Sequence, residues 1–138
     1  RKSLIEYAKD NGVNKMIHFA GNIEQVVPYI KGADLFIHPS LYEGMPNAAM
    51  EAMAYAKPVI MTRVNGAEEL SENGKYAKLI PPKDAKAIVD AFAEYMQNKD
   101  KYVEMGKAAR EHVRKNFSMD NMISSLESFI QQRIKIKK

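Results

Sequence analysis

The apolar residues of this chain form two kinds of pattern, short continuous runs and longer stretches with helical spacing. Short runs bounded by glycine, proline or polar residues are typical of buried strands, whereas apolar positions three or four residues apart are typical of helices packed on one face. We predict strands at Met16–Ala20, Leu35–His38, Pro58–Thr62 and Tyr76–Ile80. We predict helices at Ser3–Asn11, Ile23–Ile30, Asn47–Ala56, Ala67–Ser71, Lys101–Lys115 and Met119–Ile134, and a further helix that Asp84 caps.

Two of the helical patterns are amphipathic enough to predict which face is buried. In the helix after Asp84, the stripe expected to face the core is Ile88, Val89, Phe92, Tyr95 and Met96. The last helix is expected to bury Met122, Ile123, Leu126, Phe129 and Ile130.

The order of these elements predicts an α/β protein. Strand, helix and strand between Leu35 and Thr62 form a βαβ unit, which almost always has parallel strands. The chain has 138 residues, enough for one sizeable core, so we expect a single domain at 1–138 with a terminal helix at 119–138. Because the chain starts at Arg1, already in a helical pattern, we expect it to be a piece of a larger protein.

Composition places the chain among ordinary globular proteins, with 46% apolar residues, 28% charged residues and no cysteine. This excludes disulfide frameworks and thiolate metal sites and fits a cytoplasmic protein. No apolar run approaches the ~20 residues of a membrane helix. Net charge is +4, with 7 basic and 9 acidic residues in 1–74 but 14 and 8 in 75–138. The lysines alternate with acids, so we favour a solvated surface over nucleic-acid binding.

Three loops are expected to meet at the carboxyl edge of the parallel sheet, where α/β proteins bind ligands. They are Gly21-Asn22, Ser40–Asn47 and Arg63–Gly66. Glycine lets backbone N–H groups approach a ligand, and the helix that begins near Pro46 directs its positive end to the same place. The pattern therefore predicts an anion site, with phosphate as the natural ligand.

Two carboxylates flank this loop-to-helix junction. Glu43 precedes the helix, and Glu51 lies one turn inside it, so its side chain leans back toward the pocket. Carboxylates repel a phosphate but accept hydrogen bonds from hydroxyls. A nucleoside diphosphate-sugar has hydroxyls on both sides of a diphosphate and meets both requirements. An alternative is that Glu51 merely caps the helix or forms a surface ion pair.

The stretch "HPSLYEGMPNAAMEAMAYAKPVI", with "IHFAGN" before it and "TRVNGAEEL" and "LIPPKD" after it, resembles retaining glycosyltransferases of sequence family 4 (glycosyl transferases group 1). The resemblance covers about residues 16–98 and is to their C-terminal, donor-binding domain. It implies a Rossmann-like three-layer α/β/α parallel sheet, one half of a GT-B fold. It also implies transfer of a sugar from a nucleotide to an acceptor with retention at the anomeric carbon.

The resemblance implies a role for each matching residue. Glu51 matches the glutamate that binds the ribose hydroxyls, and Glu43 matches the one beneath the donor sugar that stabilises its oxocarbenium-like transition state. Gly21 and Asn22 match the loop that meets the nucleobase. The residues implied to contact donor sugar and diphosphate are Gly44, Met45, Asn47, Asn65 and Gly66. No metal or cofactor is implied, because the helix end and basic residues stabilise the departing phosphate.

The chain also departs from the family pattern. Two glycines are common where it has Asn65-Gly66, which is expected to alter donor-sugar contacts. The strands that precede "IHFAGN" in the family, with their arginine and lysine for the diphosphate, are missing, as is the acceptor-binding N-terminal domain. We therefore expect the piece to be inactive alone, with a sheet that a dimer or an altered strand order completes.

Other interpretations remain open. One is a GT-B-type nucleotide-sugar epimerase, and another is a non-catalytic nucleotide-binding module. The basic C-terminal tail leaves peripheral contact with an anionic membrane open, although a frayed terminus is the alternative. We interpret His18 and His38 as strand-packing residues and His112 as a helix-surface residue.

Overall fold

The computed structural model describes the backbone of residues 2–136 and the side chains of residues 3–134. The lysines of the basic tail, at positions 135, 137 and 138, lie outside the described side chains. The strands are β1 Phe36–His38, β2 Val59–Thr62 and β3 Lys78–Ile80. The helices are α1 Lys2–Asp10, α2 Val27–Gly32, α3 Asn47–Ala54, α4 Ala67–Ser71, α5 Ala85–Gln97, α6 Lys99–Asn116 and α7 Met119–Ile136.

The three strands form one parallel sheet in the order β1-β2-β3, as the βαβ pattern predicts. In register, Ile37 lies beside Ile60, and Met61 lies beside Leu79. All four residues of the central strand β2 are buried, which explains its continuous apolar sequence.

Helices cover both faces of this sheet, so the three-layer α/β/α prediction is confirmed. Successive side chains of a strand point to opposite faces. Val59 and Met61 accordingly pack in a cluster with residues of α3, α4 and α6, while Ile60 packs in a second cluster with Tyr95 of α5 and Tyr102 of α6.

Helix α3 ends in a tight turn that returns the chain to β2. The N–H of Ala56 bonds to the carbonyl of Met53 and the N–H of Lys57 to that of Ala52, the pattern of a Schellman motif. Ala56 has the left-handed φ of 58° that this motif requires. Helix α6 crosses here: a Cβ on Gly106 would lie 2.5 Å from the carbonyl oxygen of Ala56.

The predicted strand at Met16–Ala20 is wrong. Asn14–Met16 forms a 3₁₀ turn, and Met16 is 85% exposed. Ile17 has extended dihedral angles, but extended backbone becomes a strand only beside a neighbour that pairs with it. The three-stranded sheet does not reach this segment.

The helix predicted at Ile23–Ile30 begins later, at Val27, and runs to Gly32. Pro28 lies in its first turn, where the missing N–H of proline costs nothing because those donors have no intrahelical partner. The proline therefore starts this helix and does not interrupt it.

Both predictions of buried helix faces need correction. On α5 the buried residues are Ala91 and Tyr95, whereas Val89, Phe92 and Met96 are about half exposed or more. Asp84 does cap α5, accepting a hydrogen bond from the N–H of Ala87. On α7 every residue of the predicted stripe is exposed: Met122, Ile123, Leu126, Phe129 and Ile130.

The physical reason for the error on α7 is that helical spacing defines an apolar face without supplying a partner to cover it. Elsewhere in the described part, α3 and α6 bury their faces against each other and the sheet. Despite its apolar face, α7 is not apolar enough to cross a membrane, and neither is any other helix of residues 2–136.

Candidate functional site

The carboxyl ends of β1 and β2 lie side by side, and a buried threonine ties their loops together. His38 ends β1 beside Met61 of β2. Thr62, the last residue of β2, is 2% exposed and donates its hydroxyl to the backbone oxygen of Ser40 at 2.6 Å. The loop after β1 is thereby fixed to the central strand of the sheet.

Glu43 is held in this loop by two neighbouring side chains. Nε2 of His38 lies 3.0 Å from Oε1 of Glu43, and the hydroxyl of Ser40 lies 2.8 Å from the same oxygen. The Ser40 hydroxyl also lies 3.1 Å from the carbonyl of Tyr42. It has one proton, and the shorter contact to a carboxylate is the stronger hydrogen bond.

These hydrogen bonds keep Glu43 ionised. The bond from Ser40, and then the bond from His38, lower the pKa of the Glu43 carboxyl below its ordinary value, because both donors stabilise the charged form. The side chain is 29% exposed, so a ligand can reach it. Within residues 2–136, no group of three or more His, Asp and Glu side chains is placed to hold a metal ion.

Helix α3 begins at Asn47, shortly after Glu43, and its first turn lacks a side-chain cap. Its N-cap residue, Pro46, offers no side-chain acceptor, and no acidic residue lies in the first turn. The N–H of Asn47 bonds to the carbonyl of Met45. Among the described residues, the N–H groups of Ala48 and Ala49 have no such acceptor. Ala48 is exposed but Ala49 is fully buried, so an anion can bind at this helix end through the amide of Ala48 and the helix dipole.

Glu51 lies one turn further along α3. Its side chain is exposed, and it forms no ion pair within the described part of the chain, so the surface salt-bridge alternative is not what the structure has. Helical side chains lean toward the N-terminus of their helix. A side chain at this position is therefore expected to lean toward the N-terminal end of α3.

The loop after β2 packs directly on the start of α3. Gly66 has a left-handed φ of 75°, and a Cβ there would lie 2.6 Å from the carbonyl oxygen of Gly44 and 3.2 Å from Pro46. Position 66 therefore requires glycine. Its neighbour Asn65 is exposed and is not among the residues with positive φ. The structure thus brings Gly44, Met45 and Gly66 together, as predicted.

A cavity of about 320 Å³ beside α3 borders this cluster, because Met45 is among its lining residues together with Glu69. Another of about 590 Å³ is lined in part by Tyr76 and His112. His112 lies at the surface of α6 with intermediate exposure, and its ring stacks on Tyr76 with centroids 4.2 Å apart, so an aromatic neighbour covers part of it.

Comparison with known proteins decides the family. The family model for "Glycosyl transferases group 1" matches residues 1–112. The chain belongs to the group 1 glycosyltransferase family. It is 34% identical over 137 residues to WcaL of Escherichia coli strain K12, named for a glycosyltransferase role in colanic acid biosynthesis, and 28% identical over 127 residues to D-inositol 3-phosphate glycosyltransferase of Corynebacterium urealyticum. The matches cover 94% and 91% of this chain but only 34% and 30% of those proteins.

Solved structures agree on the fold of this glycosyltransferase chain. A sucrose-phosphate synthase from Thermosynechococcus elongatus superposes with a TM-score of 0.85 and 25% identity, covering 98% of this chain and 34% of that one. HepE from Anabaena, in complex with UDP, gives a TM-score of 0.88 at 20% identity, covering 95% and 36%. The chain has the Rossmann-like α/β fold of the C-terminal half of GT-B glycosyltransferases, and it spans about a third of the length of these relatives.

The residues that the family resemblance assigns to the nucleobase lie outside the helices and strands that form the rest of the site. Gly21 has a left-handed φ of 77°, and both it and Asn22 are exposed in the irregular segment before α2. No hydrogen bond within residues 2–136 joins either residue to Glu43 or Glu51. Their assignment to the nucleobase stays a prediction, as do the roles of the other assigned residues.

Sequence reasoning missed three residues that hold Glu43 or its loop in place, His38, Ser40 and Thr62. The interpretation of His38 as a strand-packing residue is incomplete, because its Nε2 bonds to Glu43. His18 is exposed and lies outside the strands. The signal that separates the two histidines is position: His38 ends a strand on the ligand side of a parallel sheet, five residues before a glutamate.

Proposed function

We propose that this chain is the donor-binding domain of a retaining glycosyltransferase that transfers a hexose from a nucleoside diphosphate-sugar. The observation that carries the proposal is an ionised Glu43, held by His38 and Ser40 in the loop before a helix whose N-terminus has no side-chain cap. A carboxylate beside an anion-binding helix end suits a substrate that carries both hydroxyls and a diphosphate.

In the reaction, the bond from the anomeric carbon of the donor sugar to the diphosphate oxygen breaks, and the oxygen of an acceptor hydroxyl bonds to the same face of that carbon. The proton of that hydroxyl passes to the departing diphosphate oxygen, and the nucleoside diphosphate leaves. Glu43 stabilises the positive charge that develops on the sugar, and the amide of Ala48 with the positive end of the α3 dipole stabilises the negative charge of the leaving group. Glu51 accepts hydrogen bonds from the ribose hydroxyls.

The remaining binding roles follow the same division. Gly44, Met45, Asn47, Asn65 and Gly66 shape the site for the donor sugar and diphosphate, and Gly21 and Asn22 bind the nucleobase. Support for a nucleotide ligand comes from HepE, a protein of like fold whose structures contain UDP and UDP-glucose. Because the chain spans about a third of its relatives, we propose that the acceptor is bound elsewhere in the protein and that the chain alone does not turn over.

We further propose that donor binding needs no metal ion and that the protein is cytoplasmic. The proposal allows a dimer formed through the sheet edge at β1. It also allows peripheral contact of the basic tail with a membrane. A test of the metal requirement is binding in the presence of EDTA, which is expected to leave donor affinity unchanged.

Isothermal titration calorimetry of the chain with UDP, GDP and ADP, and with UDP-glucose, GDP-mannose and ADP-glucose, tests the proposal. Nucleotides of one base are expected to bind best. Glu51→Ala is expected to lower the affinity for them by about tenfold, because hydrogen bonds to a charged group are lost. Glu104→Ala, on the exposed face of α6, is the matched control and should bind as the unchanged chain does.

The alternatives predict other outcomes. A folded chain that binds none of these nucleotides would overturn the proposal and favour a non-catalytic module. In the complete protein, an epimerase converts a nucleotide-sugar without an acceptor, whereas a transferase releases a nucleoside diphosphate only as the acceptor is glycosylated.

A further inference from the structure

The hydrogen bonds to Glu43 are unevenly divided between its two oxygens. Both His38 Nε2 and the Ser40 hydroxyl bond to Oε1, and within the described residues Oε2 has no partner. We propose that His38 and Ser40 are positioning residues that clamp Oε1 of Glu43 so that Oε2 is presented to the donor sugar. This inference rests on the proposed function for its ligand, although the clamp itself is a property of the chain.

Two donors on one oxygen restrict a carboxylate more than one donor does. A single hydrogen bond leaves the carboxylate free to rotate about the bond to its donor, whereas two donors from different directions define its plane. Glutamate has rotatable bonds that an unclamped loop residue samples freely, and that freedom is lost on binding at a cost in affinity. A clamp formed before the ligand arrives removes that cost.

The clamp is anchored to the sheet. His38 is the last residue of β1 and pairs in register with β2, and its side chain is 19% exposed. The backbone oxygen of Ser40 accepts the 2.6 Å hydrogen bond from Thr62, a buried residue of the central strand. Both residues that bond to Glu43 are thus fixed to β2: His38 through strand pairing and Ser40 through the hydrogen bond from Thr62.

The electrostatics of the clamp involve one titratable partner. An ionised carboxylate only accepts hydrogen bonds, so His38 carries a proton on Nε2. Arg63 directly follows Thr62, the last residue of β2, and its side chain forms an ion pair with Glu68 of α4. His38 and the neutral Ser40 are thus the groups that act on Glu43 across the loop, and their bonds lower its pKa.

Matched substitutions separate the hydrogen bonds from the packing of the side chains. His38→Ala and Ser40→Ala each remove a donor. His38→Gln places an amide N–H near the position of Nε2, and Ser40→Thr keeps a hydroxyl. Far-ultraviolet circular dichroism and the thermal midpoint identify any variant that fails to fold, and the conservative variants provide a folded comparison at each position.

The first measurement needs no ligand. Carboxyl ¹³C NMR of the chain follows the titration of Glu43. Ser40→Ala is expected to raise the pKa of Glu43 most, His38→Ala less, and the Gln and Thr variants least, because the donors stabilise the ionised form. A Glu43 titration that is unchanged in both alanine variants would show that the clamp does not exist.

The second measurement is the affinity ratio between a nucleotide-sugar and its free nucleoside diphosphate, by calorimetry with UDP-glucose and UDP, or with the GDP or ADP pair if that base binds better. Each alanine variant is expected to lose about three- to tenfold in affinity for the sugar nucleotide, with little change for the diphosphate. His38→Gln and Ser40→Thr are expected to keep most of the affinity for the sugar nucleotide that the alanine variants lose.

An equal loss for both ligands would overturn the positioning role, since it would indicate general damage to the site. If the unchanged chain binds no nucleotide, the proposed function fails, and the NMR titration alone decides whether the clamp exists.

Discussion

Helices α3 and α7 both carry methionines at helical spacing, and the structure treats them in opposite ways. Met53 of α3 is fully buried between the sheet and α6, whereas Met122 of α7 is 59% exposed. The N-terminus of α3 has no side-chain cap, while in α7 the N–H of Asn121 donates to the Ser118 hydroxyl. Helix α3 is therefore stabilised by tertiary packing, and α7 by interactions within its own sequence.

The largest expected effect contrasts these two methionines. Met53→Ala is expected to lower the free energy of unfolding by about 2–5 kcal/mol, because it opens a cavity in a closed core. Met122→Ala is expected to change it by less than about 0.5 kcal/mol, as for other exposed positions. Equilibrium urea denaturation measures both. Similar losses of unfolding free energy in the two variants would show that Met122 is covered in solution. The contrast between α3 and α7 would then be wrong.

The next effect tests how the start of α3 is held. Gly66→Ala is expected to cost about 2–4 kcal/mol, since it combines left-handed strain with overlap against Gly44. Gly12→Ala has the same strain, with φ of 69°, but nothing within 4 Å, and is expected to cost only about 1–2 kcal/mol. Denaturation of both variants gives the difference. Equal costs would mean that the loop after β2 yields easily, contrary to tight packing on α3.

The smallest effect concerns the cap of α7. Ser118→Ala is expected to weaken the first turn of α7 by about 1 kcal/mol, the usual value for a lost N-cap. Because α7 packs little against the core, the change should remain local: amide hydrogen exchange should accelerate in α7 and stay unchanged in β2. Faster exchange in β2 as well would show that α7 and the sheet unfold together.

The success of sequence reasoning follows the same division. Between Leu35 and Ser71 it predicted every helix and strand to within two residues, because strand runs and helical spacing there coincide with real packing partners. It failed at Met16–Ala20, an apolar run that the sheet does not reach, and on the exposed face of α7. It singled out Glu43 and Glu51 from their spacing, and their binding roles stay predictions. It missed the hydrogen bonds of His38 and Ser40 to Glu43, since these depend on how one loop folds back.

The sequence by itself determined the local features of this protein: the alternation of strands and helices from Leu35 to Ser71, the cap at Asp84, and the position of two glutamates around a helix start. These depend on backbone sterics, hydrogen bonds within a few residues and side-chain periodicity. Only the tertiary structure decided which apolar faces are covered, which extended segment becomes a strand and which donors hold Glu43. Those outcomes depend on groups that are distant in sequence, because a face is buried or a strand is paired only when another element packs against it.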